Sequence, residues 1–167
     1  RDSYISDCTI AGTQGQAIAV WNNPGPLLIE NNFISGAGQN LLFGGADPGI
    51  AGLIPSDITV RRNHFWKDPA WSRVYTVSFL LESKNSQRSL YEENVFENTW
   101  ASAQSGMAIG FKSQTGNETG SQLWQGTTDV TFRWNVVKCA QRGLNLQAVG
   151  EGGSNRHVQR VVAEQNL

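Results

Sequence analysis

Polar and apolar residues alternate with period two along Asp57-Ile58-Thr59-Val60 and again along Asp129-Val130-Thr131-Phe132, the pattern of strands with one buried face. A second set of strand-like pieces follows about ten residues after each such unit. It covers residues 15–20, 38–43, 106–111 and 143–146, each opened by a glycine, and residues 77–81 take that role in the third unit. No stretch keeps a 3.6-residue apolar period between helix caps, so little helix is predicted.

Each alternating segment ends in the same way. The phrases Leu28-Ile29-Glu30-Asn31-Asn32-Phe33, Thr59-Val60-Arg61-Arg62-Asn63-His64-Phe65, Leu90-Tyr91-Glu92-Glu93-Asn94-Val95-Phe96 and Thr131-Phe132-Arg133-Trp134-Asn135-Val136-Val137 share one asparagine position, which Asn166 repeats. The steps are 31, 31, 41 and 31 residues. A near-constant period of this size marks a repeat architecture, and the long step marks an inserted loop. Hairpins would need Asn-Gly or Asp-Gly turns, and neither dipeptide occurs. Stacked coils explain the recurring amide: asparagines one above another pass side-chain hydrogen bonds along the stack.

Cys8 is expected to hold the asparagine's place in a degenerate first phrase, with Cys139 just after it in the fifth. Four coil steps of about 4.8 Å would separate the two cysteines. A disulfide needs Cα atoms within about 7 Å, so no intrachain bridge is expected.

The apolar-x-x-Asn-x-apolar phrases resemble the right-handed parallel β-helix superfamily, the pectate-lyase-like solenoids, over nearly the whole chain. The resemblance implies an all-β fold: a right-handed single-stranded parallel β-helix of about five to six coils. Residues 1–167 would form one domain, and the chain is expected to be a piece of a longer helix, truncated at both ends. The fold carries lyases, hydrolases, epimerases, tailspikes and silent adhesins, so it leaves open whether this chain is an enzyme. An extracellular or periplasmic location and a polysaccharide or oligosaccharide partner are what the resemblance implies. The adjacent Asp-Asp and His-Gly pairs of a polygalacturonase-like site do not occur. The calcium carboxylate cluster of pectate lyases has no clear counterpart, because Asp47, Asp57, Asp68 and Asp129 are dispersed. Calcium therefore has no evident ligand set, and no other cofactor is implied.

Composition narrows the partners. Charged residues make up 16% of the chain and the net charge is −1, which leaves no surplus of Lys and Arg to neutralise nucleic-acid phosphates. No run approaches the roughly 18 apolar residues of a membrane-spanning helix. His64 and His157 are expected about three coils apart, too far to share a metal.

Unequal loops point to a site. Residues 44–56 form a long Gly/Pro-rich loop after one second strand, and residues 113–128 form another two coils later. The short corner between them would be the floor of a trench holding Glu82, Lys84, Asn85, Gln87 and Arg88, with Lys112 one coil from Lys84. Two ammonium groups about 5 Å apart repel, which suits binding an acidic sugar or removing a proton beside a carboxylate. The alternative is that Glu82, Glu92 or Glu118 simply pairs with the lysines on a solvated face. Trp66, Trp71 and Trp124, in or beside turns, are candidates for stacking on sugar rings, with Trp66 and Trp71 the best exposed.

Two functions follow as expectations. One is a polysaccharide lyase-like enzyme acting on an acidic extracellular glycan, with Lys84, Lys112 and Arg88 as cations or base and Glu82 orienting a lysine. Asn85, Gln87 and the three tryptophans would bind substrate. The other is a non-catalytic glycan-binding or surface-structural segment of a larger secreted protein.

Overall fold

The computed structural model describes residues 1–114, 124–149 and 156–167. Among these residues fifteen strands form three parallel five-stranded sheets, each taking every third strand. The first sheet stacks β1 (Tyr4–Cys8), β4 (Phe33–Gly36), β7 (His64–Trp66), β10 (Val95–Thr99) and β13 (Val136–Ala140). The second stacks β2 (Ile18–Val20), β5 (Leu41–Phe43), β8 (Leu81–Ser83), β11 (Met107–Lys112) and β14 (Arg142–Gln147). The third stacks β3 (Leu27–Glu30), β6 (Ser56–Arg61), β9 (Ser86–Glu92), β12 (Thr127–Arg133) and β15 (Gln159–Glu164). Three strands make one turn, so the chain is a right-handed parallel β-helix of five coils. The only helical element among the described residues is a short 3-10 turn, Pro69–Trp71.

Each coil thus holds three strands, where the alternation in the sequence reveals two. The additional one is the strand directly after each asparagine, three to five residues long, too short to display a period. The third-unit strand also starts later than its apolar run suggests, at Leu81.

The asparagine bend works as the repeat implies. The residue before each asparagine takes a left-handed backbone: φ is 54° at Asn31, 55° at Arg62, 57° at Glu93, 54° at Trp134 and 53° at Gln165. For an L-residue that conformation costs roughly 1–2 kcal/mol. The amide ladder offsets it. Asn63 Nδ2 donates to Asn94 Oδ1 at 3.0 Å, and Asn94 Nδ2 to Asn135 Oδ1 at 3.0 Å. The same Asn94 Oδ1 also accepts from the Asn63 backbone N–H, and Asn94 Nδ2 also donates to the Val60 carbonyl. The buried asparagine amides at these bends are therefore hydrogen-bonded.

The first coil differs from the expectation. Its ladder residue is Ser3, whose backbone N–H donates to Asn32 Oδ1 at 3.0 Å behind Asp2 at φ 57°. Cys8 instead ends β1, opposite Gly36. Both cysteines are free and lie on the two edge strands of the first sheet.

Inward residues fill the tube in columns set by the register. Ile34, Phe65 and Phe96 stack from the first sheet, with the Phe65 and Phe96 rings 4.8 Å apart and nearly parallel. Leu41, Leu81 and Ile109 stack from the second, and Val60, Tyr91 and Phe132 from the third. Burying each such side chain is worth about 1.5–3 kcal/mol. The sheet faces are thereby fixed: what alternates with these columns points outward.

Candidate functional site

The residues alternating with Leu41, Leu81 and Ile109 on the second sheet are Leu42, Glu82 and Gly110. They face outward, yet Leu42 and Glu82 are buried, and the Phe79 ring lies over the Gly110 position of this face. A Cβ at Gly110 would stand 2.7 Å from Phe79 Cε1, so only glycine admits that ring. The aromatic cover leaves a carboxylate in a dry setting, where it must be paired.

It is paired twice. Glu82 Oε1 lies 2.7 Å from Lys112 Nζ, and Glu82 Oε2 accepts from Gln39 Nε2 at 2.9 Å. Gln39 Nε2 also donates to Gln14 Oε1 at 2.6 Å. A polar network thus runs from the first coil to the fourth under the cover. Lys112 Nζ sits 5.6 Å from the centroid of the Phe79 ring, a further favourable contact for its charge.

Lys112 keeps one side toward a small polar pocket of about 190 Å³, lined by Lys84, Gln104, Lys112, Gln114 and Gln147. Ser83 pairs with Phe111, so the next residues, Lys84 and Lys112, occupy neighbouring rungs, and Gln147 stands opposite Lys112 on the following one. The structure therefore brings Glu82, Lys84 and Lys112 together. Gln39, Gln14, Gln104, Gln114 and Gln147 join them, and no sequence motif marks them.

The other expected residues lie elsewhere. Gln87 and Arg88 belong to β9 on the third sheet, around the bend from Lys84. Gln87 Nε2 donates to Ser56 Oγ at 2.9 Å. Arg88 grips Asp57 with two hydrogen bonds of 2.6 and 2.9 Å, and that contact holds the Asp57 carboxyl below its usual range. Asn85 is buried in the corner: its Oδ1 accepts from the Gly126 N–H at 3.0 Å, and its Nδ2 approaches Gln125 Oε1 at 3.4 Å.

The two long loops do bracket this corner. Gln125 Nε2 donates to Asp47 Oδ1 at 2.8 Å, joining their bases across it. Gly44, at φ 76°, passes so close to Asn85 that a Cβ would lie 2.9 Å from the Asn85 Cβ. The corner is filled by these contacts, and the open space lies on the Lys84 side of it, over the second sheet. Residues 115–123 of the second loop, Glu118 among them, lie outside the described residues.

The tryptophans form no part of the pocket. Trp66 is half-buried on the outer face of the first sheet, and Trp71, expected at the surface, is buried. The 3-10 turn tucks its ring between Trp66 and Tyr75, with centroids 6.4 Å from each. Trp124 is half-buried in the turn before β12. His64 lies on β7 and meets Glu97 at 2.9 Å. Burial works against the Glu97 charge, yet His64 and Lys138 hold its carboxyl below the usual value.

A second lysine is fully enclosed. Lys67 Nζ is surrounded by the carbonyl oxygens of Gly36, Ala37 and Gly38 and by Asn40 Oδ1, at 2.8, 3.1, 2.6 and 2.7 Å. Burial pushes its pKa well down, while four acceptors favour the ammonium. The turn it ties carries Gln39, and so positions one partner of Glu82.

No group of three or more His, Cys, Asp or Glu that could hold a metal ion occurs among the described residues. None of their helices is long and apolar enough to cross a membrane. No protein-family model matches the chain, and neither a curated protein nor a solved structure does.

Proposed function

We propose that the second-sheet pocket recognises the carboxylate of an acidic sugar unit, and that the protein is a carbohydrate-active β-helix of pectate-lyase-like character acting on an extracellular acidic polysaccharide. One observation carries this reading: Lys84 and Lys112 line a single polar pocket together with three glutamines, backed by buried Glu82. Cations supply the charge that a uronate needs, and amides supply donors and acceptors for hydroxyls. The volume, about 190 Å³, is below the roughly 300–1,000 Å³ of sites that engulf drug-sized ligands. It suits one sugar unit of a chain that continues over the surface.

In the catalytic form of this reading, Lys112, oriented by Glu82, neutralises the uronate carboxylate. Lys84 is the candidate base for the C5 proton; the C5–H electrons form the C4=C5 double bond, and the C4–O bond breaks with its electrons on the leaving oxygen. That oxygen then takes a proton from water. Arg88 has no place in this scheme, being engaged by Asp57 on another face.

The alternative is a binding module without turnover. It is favoured by the Lys112–Glu82 ion pair, which commits the best-placed cation to the protein itself. One experiment separates the two. The protein is incubated with pectate, alginate and glycosaminoglycans while the ultraviolet absorbance of unsaturated uronates is followed, and affinity is measured by calorimetry. Turnover lost in Lys84→Ala supports the lyase. Affinity without absorbance supports the module, and neither signal with any glycan rejects the pocket as a uronate site.

A further inference from the structure

The outer face of the third sheet lies around a bend from the pocket and carries a regular charge pattern. Four successive strands each present three outward residues: Asp57, Thr59 and Arg61; Arg88, Leu90 and Glu92; Asp129, Thr131 and Arg133; Arg160, Val162 and Glu164. Every row has an acid at one end and an arginine at the other. Along the axis each column alternates in sign. Between the two charged columns runs a strip of Leu28, Thr59, Leu90, Thr131 and Val162, with Leu28 and Val162 among the exposed hydrophobic residues.

Part of this pattern serves the chain itself. Arg88 clasps Asp57, Arg160 clasps Asp129 through both its Nε and Nη2, and Arg133 meets Glu92 at 2.9 Å. Alternation along each column follows, since like charges one rung apart would repel. The opposite signs at the two ends of each row do not follow from it. Columns of the same phase would satisfy the stacking equally well.

We propose that this face is a two-fold interface with a second copy of the chain, the two helix axes lying parallel. A half-turn about an axis running along the middle column exchanges the ends of every row. Asp57 then meets the second copy's Arg61, Arg88 its Glu92, Asp129 its Arg133 and Arg160 its Glu164. Thr59, Leu90, Thr131 and Val162 meet themselves on the axis. A two-fold interface must be self-complementary, and acid-to-base rows give that in all four strands at once. A polyanion or a uniformly charged protein would instead meet equal numbers of opposing and like charges. Exposure is uneven across the face: Arg88 and Asp57 keep 51% and 53% of their surface exposed, Arg133 and Glu92 32% and 12%.

With rungs about 4.8 Å apart and outward residues about 6.6 Å apart along each strand, the four rows span roughly 14 by 13 Å between backbone positions. That is well below the roughly 800 Å² per partner of a stable complex, so the dimer is weak and, being charged, sensitive to salt.

Sedimentation of the full chain up to millimolar concentration, at low and high salt, tests this. A dimer is expected that grows with concentration, weakens with salt, and loses at least about tenfold in affinity in Leu90→Glu. Thr131→Glu repeats the test at a smaller side chain. In a Cys8→Ser, Cys139→Ser background, Thr131→Cys should cross-link to its own counterpart with a bismaleimide spanning about 10 Å, the distance between packed sheets. A monomer throughout, a dimer indifferent to both glutamates, or failure of the 131-to-131 link while dimer is present would overturn the proposal.

Discussion

Lys112 reaches Glu82 diagonally: the residue opposite Glu82 in register is Gly110, two positions before the lysine, yet the ammonium lies 2.7 Å from Glu82 Oε1. Gly110 contributes no side chain, and the Phe79 ring fills its place. Ion pair and aromatic cover therefore depend on one another. Breaking a buried pair from one side leaves a bare charge and costs about 3–5 kcal/mol. Lys112→Met should destabilise the protein by that order in urea denaturation. Lys112→Met with Glu82→Gln should recover most of it, and equal losses in the single and double variants would contradict the pairing.

The amide ladder predicts a gradient. Asn94 accepts two hydrogen bonds from Asn63 and donates to Val60 and Asn135, all buried. Asn94→Ala strands several polar groups at about 1–3 kcal/mol each, so a loss above about 2 kcal/mol is expected. Asn166→Ala, at the partly exposed end of the ladder, should cost less. Chemical denaturation of the two variants compares them directly.

The ion pair and the ladder also show what is legible in the sequence. The ladder is, because stacking demands one residue type at one spacing and Asn32, Asn63, Asn94, Asn135 and Asn166 keep it. The first coil is not, since Ser3 donates to Asn32 through its backbone N–H, which any residue but proline could do. Glu82, Lys84 and Lys112 could be brought together because strand register places them. Gln14 and Gln39 could not: Gln39 meets Glu82 across 43 residues and Gln14 across 25, at positions no pattern distinguishes. Trp71 is misplaced because a tryptophan two residues after a proline looks like part of a surface turn, and the short 3-10 turn buries it. The acid-to-base rows of the third sheet were open to reading at a spacing of four residues, from Asp57 and Arg61 onward.

Lys67 acts as a tethered cation for the turn that carries Gln39. Its four oxygen partners are left facing one another if the ammonium is removed. Lys67→Met should cost about 3 kcal/mol or more, by the desolvation of unpaired buried acceptors. In Lys67→Ala the vacated cage should admit a small cation, so ammonium ions should raise its melting temperature more than that of the native chain. An equal response in both would show that the oxygens relax apart.

Acid should weaken the arginine clasps of the third sheet. Hydrogen bonds from Arg160 hold the Asp129 carboxyl down to about 2, and those from Arg88 lower that of Asp57. A carboxylate whose folded pKa lies below its unfolded value contributes stability above the unfolded value, and that contribution disappears as pH falls through the folded one. The window here runs from about 4, the ordinary aspartate value, down to about 2 at Asp129. Both aspartates face solvent, so screening keeps the effect small and salt reduces it further. Asp129→Asn should flatten the fall in melting temperature between pH 4 and pH 2 while changing little at pH 7. An unchanged acid slope in that variant would mean that the Arg160 clasp adds nothing to folding, and that alternation along the column serves only to avoid repulsion.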